Sequence, residues 1–76
     1  MDLIDAKTFG MTIKTQRKKL NISQLHLAAI ADTGVRFISD LENGKPSVYL
    51  EKALQVAKIL GLKIEISGGQ GNINEP

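Results

Sequence analysis

The sequence has no cysteine and one histidine. Without thiols the chain forms neither a disulfide nor a thiolate metal site, and His26 alone cannot build a ligand set. No apolar run approaches the roughly 20 residues that span a bilayer. The opening MDLIDAKTF carries acids where a secretory signal carries bases, so a cytoplasmic protein is expected. No histidine is paired with a plausible nucleophile. The tail segment GGQG lacks the flanking strand and helix that would make it a phosphate loop. The expectation is a binding protein without catalytic residues, metal or cofactor.

With 76 residues the chain holds one small domain. A core of that size buries only about 60% of the surface of the unfolded chain, and with disulfides and metals excluded, oligomerisation is the remaining aid to stability. The net charge is +2 and the pI about 9.1, a mild excess that decides little alone. Its distribution says more. Lys14, Arg17, Lys18 and Lys19 crowd one window, while Arg36 and Lys45 bracket the segment TGVRFISDLENGK.

Asp5 is placed to cap a first helix over Ala6–Leu20, with Ile4 and Phe9 as a hydrophobic staple. Phe9, Ile13, Arg17 and Leu20 recur at helical spacing, and Gly10 implies close packing against a neighbour. Ser23 caps a second helix ending near Ala31, stapled by Ile22 and Leu27, with Leu27, Ala28 and Ala31 inward. Asp32 tolerates a left-handed backbone and Gly34 permits a change of direction. A third helix follows over Val35–Asn43, burying Val35 or Ile38 with Leu41 and closed by Gly44. A fourth helix, within VYLEKALQVAKILG, has the stripe Leu50, Ala53, Leu54, Ala57 and Leu60, with Val56 and Ile59 off it. LKIEIS then alternates with a period of two, and GGQGNINEP has no apolar pattern. The expected organisation is one domain over residues 1–67 and a flexible tail over 68–76.

Two short helices joined by a tight turn have the proportions of a helix-turn-helix, whose second helix enters the DNA major groove. Arg36 can then offer a bidentate fork to guanine, and Ser39 can donate or accept one turn later. Asp40 would accept from a cytosine amino group or, preferably, hold Arg36 four residues away. Gln24 at the start of the second helix, with Asn43 and Lys45 after the third, suits phosphate contacts. A plain surface role is the competing reading of Arg36 and Gln24.

SQLHLA and ISDLENGK resemble the paired motifs of lambda-repressor-like, Cro/C-repressor-type helix-turn-helix proteins, over about Phe9 to Leu62. The resemblance implies an all-α bundle of four to five helices that binds operator DNA, with an ion pair between Arg17 and Glu42. Arg17 is also a candidate phosphate contact, and Gly34 and Val35 join Arg36 at the base edges. Asp32 stands where that family usually carries glycine, which could shift the start of the third helix. Within the family, RFISDLENGK and YLEKALQVAKILGL look like HipB-like antitoxins, which implies a HipA-like kinase toxin as a partner.

A lone strand leaves its backbone groups without partners. LKIEIS could pair with DLI at residues 2–4, lie on its own helices, or pair with a second copy across a two-fold axis. The last option makes a homodimer, with Val56, Ile59, Leu62, Ile64 and Ile66 at the interface, and the resemblance to HipB-like proteins implies the same arrangement. A repressor without a toxin, of phage or mobile-element type, and a helix-turn-helix used only for protein binding are the alternatives.

Overall fold

The computed structural model describes residues 5–66, 68 and 71. Four helices follow in order: α1 (Ala6–Lys19), α2 (Gln24–Ala31), α3 (Val35–Glu42) and α4 (Leu50–Ile59). Asp5 accepts from the Thr8 N–H at 2.7 Å and Ser23 from the His26 N–H at 3.0 Å, so both expected N-caps form. The staple partner Ile4 and the segment DLI lie outside the described residues. Ile22 and Leu27 both reach the core.

All four helices end in one way. In each, a residue in the left-handed region lets two backbone N–H groups fold back onto the last turn, as in a Schellman motif. Asn21 (φ 60°) ends α1, Asp32 (φ 56°) α2, Gly44 (φ 77°) α3 and Gly61 (φ 77°) α4. After α3, for instance, Gly44 N–H donates to Leu41 O at 3.1 Å and Lys45 N–H to Asp40 O at 3.0 Å. Asp32 therefore does the work expected of glycine, and α3 still begins at Val35. The role of Asn21 had no clear sequence signal besides its residue type.

α1 and α2 pack on α3, and α4 packs on α2. Phe9, Ile13, Leu27, Ala28, Ala31, Ile38, Leu41, Ala53, Val56, Ala57 and Leu60 form the buried core. Alanines at 28 and 31 of α2 and 53 and 57 of α4 leave room for close helix approach. Gly10 is needed where α1 meets α3. A Cβ there would collide with the carbonyl oxygen of Leu41 and reach 2.9 Å from that of Glu42. These are backbone atoms and cannot rotate away.

Of the two options open on α3, Ile38 rather than Val35 joins Leu41 as a buried apolar residue, and Val35 is 44% exposed. On α4 the inward stripe is Ala53, Val56, Ala57 and Leu60, and Leu50 (66%) and Leu54 (40%) face outward. Both stripes have helical spacing, and the helix is apolar on two sides, so periodicity alone could not rank them. Val56 has no exposed surface; it is a core residue and offers nothing to a second copy.

After Gly61 no strand is assigned among the described residues. Residues 62–66 nevertheless alternate: Leu62 and Ile64 rest on the core, Lys63 and Glu65 are exposed, and Ile66 is 91% exposed. No helix of the described residues is long and apolar enough to cross a membrane.

Candidate nucleic-acid interface

The surface around α2, its turn and α3 is organised by one buried polar network. Glu42, at the end of α3, accepts from Arg17 Nε at 2.6 Å, Arg17 Nη2 at 3.1 Å and Gln24 Nε2 at 3.0 Å. Arg17 Nη1 also donates to Ile22 O at 2.8 Å. The pair is largely out of water, with side-chain exposures of 9% for Arg17 and 1% for Glu42. Hydrogen bonding to Glu42 holds the Arg17 pKa above its ordinary value, against the opposing effect of burial. Three elements meet here: the end of α1, the start of α2 and the end of α3. No buried side-chain nitrogen or oxygen among the described residues lacks a partner.

Gln24 was expected at a phosphate, and its link to Glu42 was not foreseen. One Nε2 hydrogen is committed to Glu42, which fixes the amide and leaves the second hydrogen as a donor. The N-terminus of α2 adds direction, since among the described residues the backbone N–H groups of Gln24 and Leu25 make no hydrogen bond. Beside it lies a cleft of about 480 Å³ lined by Arg17, Lys18, Asn21, Ile22 and Ser23. The Arg17 charge is already paired with Glu42, so Lys18 and the neighbouring helix N-terminus are what this cleft offers an anion.

Arg36 is exposed at the start of α3 and makes no hydrogen bond or ion pair among the described residues. Gly34 caps α3 through its backbone in an extended conformation (φ −80°, ψ 155°) without a side-chain bond, and nothing lies within 4 Å of its Cβ position. Val35 and Arg36 thus stand at an open helix end.

Asp40 does not hold Arg36. Its Oδ2 lies 3.6 Å from Lys45 Nζ, because the turn at Gly44 folds Lys45 back along α3. The guanidinium is left unclaimed. Asn43 Nδ2 donates to Ser39 Oγ at 3.4 Å, a long bond on the exposed surface that a ligand could replace. Lys14, Lys18 and Lys19 are exposed along α1, where they add long-range positive potential.

A family model described as helix-turn-helix matches residues 13–66, which contain the whole of this arrangement. The chain belongs to the helix-turn-helix family. A relative, the uncharacterized HTH-type transcriptional regulator y4mF of Sinorhizobium fredii (strain NBRC 101917 / NGR234), is 46% identical over 57 residues, covering 75% of each chain. The helix-turn-helix match begins at Ile13 and runs through Ile66, so it includes α4 and the extended residues after it.

Sequence reasoning missed a second feature. Thr8, Met11, Thr12, Thr15 and Gln16 of α1 line a groove of about 400 Å³ with Leu62. Gln16 Nε2 donates to Leu60 O at 3.0 Å and ties α1 to the end of α4 beside it. The three- and four-residue spacing of Thr8, Met11, Thr12 and Thr15 was a legible signal for one face of α1.

Proposed function

We propose that this chain is a sequence-specific DNA-binding transcriptional repressor rather than an enzyme. The observation that carries the reading is the unclaimed Arg36 guanidinium at the open N-terminal end of α3. In a helix-turn-helix that end enters the major groove. Arg36 then reads guanine O6 and N7, with Gly34, Val35, Ser39 and Asp40 near the base edges. Gln24, Asn43, Lys45 and the cleft beside Arg17 meet phosphates. Lys45 arrives partly neutralised by Asp40, so its contribution is smaller than that of a free lysine.

The active form in this reading is a homodimer, because one α3 spans only a few base pairs while two, roughly 34 Å apart, read a palindrome. Residues 62–66 join the two copies as a small antiparallel sheet, with Ile59, Leu62, Ile64 and Ile66 at the interface. The resemblance of RFISDLENGK and YLEKALQVAKILGL to HipB-like antitoxins extends the proposal to a cytoplasmic antitoxin that binds a HipA-like kinase and represses their shared operon. A tagged copy that retains a kinase from the native operon supports the antitoxin; its absence among that operon's products leaves a repressor without a toxin.

Selection of duplexes from a randomised library tests DNA recognition. The expected product is a two-fold symmetric sequence with half-sites one helical turn apart, and Arg36→Ala relaxes one position in each half. Recovery of no enriched sequence would leave a module that binds only protein.

A further inference from the structure

Three observations around residues 62–66 are unexplained by a single chain. The Leu62 N–H donates to Ala57 O, but beyond it no backbone hydrogen bond joins residues 63–66 to the other described residues. Ile66 is 91% exposed. The groove on α1, bordered by Leu62 and Met11, stands open, and Met11 is itself 58% exposed. Each is a surface of the kind that another chain covers.

We propose that a second copy of this chain covers them in one register, with Ile64 opposite the partner's Ile64. This deepens the dimer reading above by specifying which residues meet. In an antiparallel pair, directly opposed residues share a face of the sheet. With Ile64 on the two-fold axis, Ile66 lies opposite the partner's Leu62, and Lys63 opposite the partner's Glu65. Every apolar residue then meets an apolar one and every charge meets its opposite. Moving the axis to residue 63 sets Lys63 against the partner's Lys63, and moving it to residue 65 opposes two glutamates. Half-step shifts place Ile64 against a charged residue. Like charges directly opposed are unfavourable, and an axis at residue 62 or 66 sets neither Lys63 nor Glu65 against an opposite charge, so only the axis at residue 64 pairs the two charges.

The same register gives the groove its occupant. Ile66, directly across from the partner's Leu62, projects on the core-facing side of the strand and enters the groove that Leu62 borders. Each copy thereby fills the groove of the other, and the exposed isoleucine and the open α1 face are covered together.

Charge swaps measured by sedimentation equilibrium at low salt test the register. Lys63→Glu and Glu65→Lys each replace two symmetry-related attractions with repulsions and weaken the dimer about two- to thirty-fold. Lys63→Glu/Glu65→Lys restores affinity close to the original. Met11→Asp, on the exposed groove wall, weakens the dimer at least about tenfold. Both single swaps are exposed changes that leave the core untouched, and circular dichroism confirms this. A stable dimer whose double swap shows no rescue overturns the register. An unchanged dimer in Met11→Asp overturns the groove as the seat of Ile66. A wild-type chain that stays monomeric overturns this proposal together with the strand-paired dimer. Failure to bind DNA by an intact, rescued dimer would instead sink the repressor reading alone.

Discussion

Glu42→Ala removes the acceptor of three hydrogen bonds and leaves the Arg17 guanidinium with only Ile22 O. Arg17 stays largely buried, so its charge cannot recover a full hydration shell. Breaking a buried pair from one side costs about 3–5 kcal/mol, against roughly 0.2–1 kcal/mol for an exposed pair. A 76-residue domain has about 4–11 kcal/mol of stability in total, so the loss is a large fraction of it. At about 4–8 °C per kcal/mol, Tm falls by roughly 12 °C or more. Urea titration followed by circular dichroism measures the loss, and Arg17→Met/Glu42→Leu supplies the control. Two apolar side chains of similar volume replace the pair without a stranded charge, so most of the stability returns. Recovery is incomplete because Gln24 also loses its acceptor. A Glu42→Ala cost under about 1 kcal/mol would show that the pair behaves like a surface bridge and would refute the reasoning.

Gly10→Ala should destabilise by about 1–3 kcal/mol in denaturant titrations, because the new methyl meets the Leu41 and Glu42 carbonyls. The usual helix gain of about 1 kcal/mol over glycine works in the other direction, and a net stabilisation would mean α1 and α3 are not so close. Arg36→Ala should leave thermal stability unchanged and reduce discrimination at one base pair per half-site by about 1–3 kcal/mol; equal weakening on all sequences would assign Arg36 to phosphate instead. The hydrogen bond from Thr8 N–H holds the Asp5 carboxyl below its ordinary 3.8. Its contribution is present above that value and is lost as pH falls through the depressed folded pKa. Asp5→Asn should therefore flatten the acid limb of a melting-temperature profile, and identical acid limbs would count against the cap.

The helices were legible where local chemistry decides them. Asp5 and Ser23 marked two starts, Gly44 marked an end, and Gly10 announced close packing. What could not be read locally was the choice between competing options. On α4 two apolar stripes fit one helical period, and only the position of α2 selects Ala53, Val56, Ala57 and Leu60 over Leu50 and Leu54. Asp40 had a partner four residues before it and another five after it. The turn at Gly44 chose Lys45 by folding the chain back. The Gln24–Glu42 contact joins residues 18 apart in sequence, beyond the reach of any periodic pattern. Arg17 and Glu42 came from resemblance, and their distance of 2.6 Å and shared burial add the geometry that resemblance cannot supply.

The most direct test of DNA recognition is the affinity for the selected duplex and for a scrambled duplex of equal length, measured by fluorescence anisotropy across a salt series. Each phosphate neutralised should lower log K by about 0.9 for every unit of log salt, and the selected duplex should bind more tightly throughout. Removing Arg36 should narrow the gap between the two duplexes more than it changes the slope. Affinity that does not respond to salt, or equal affinity for both duplexes at every concentration, would contradict a base-reading α3.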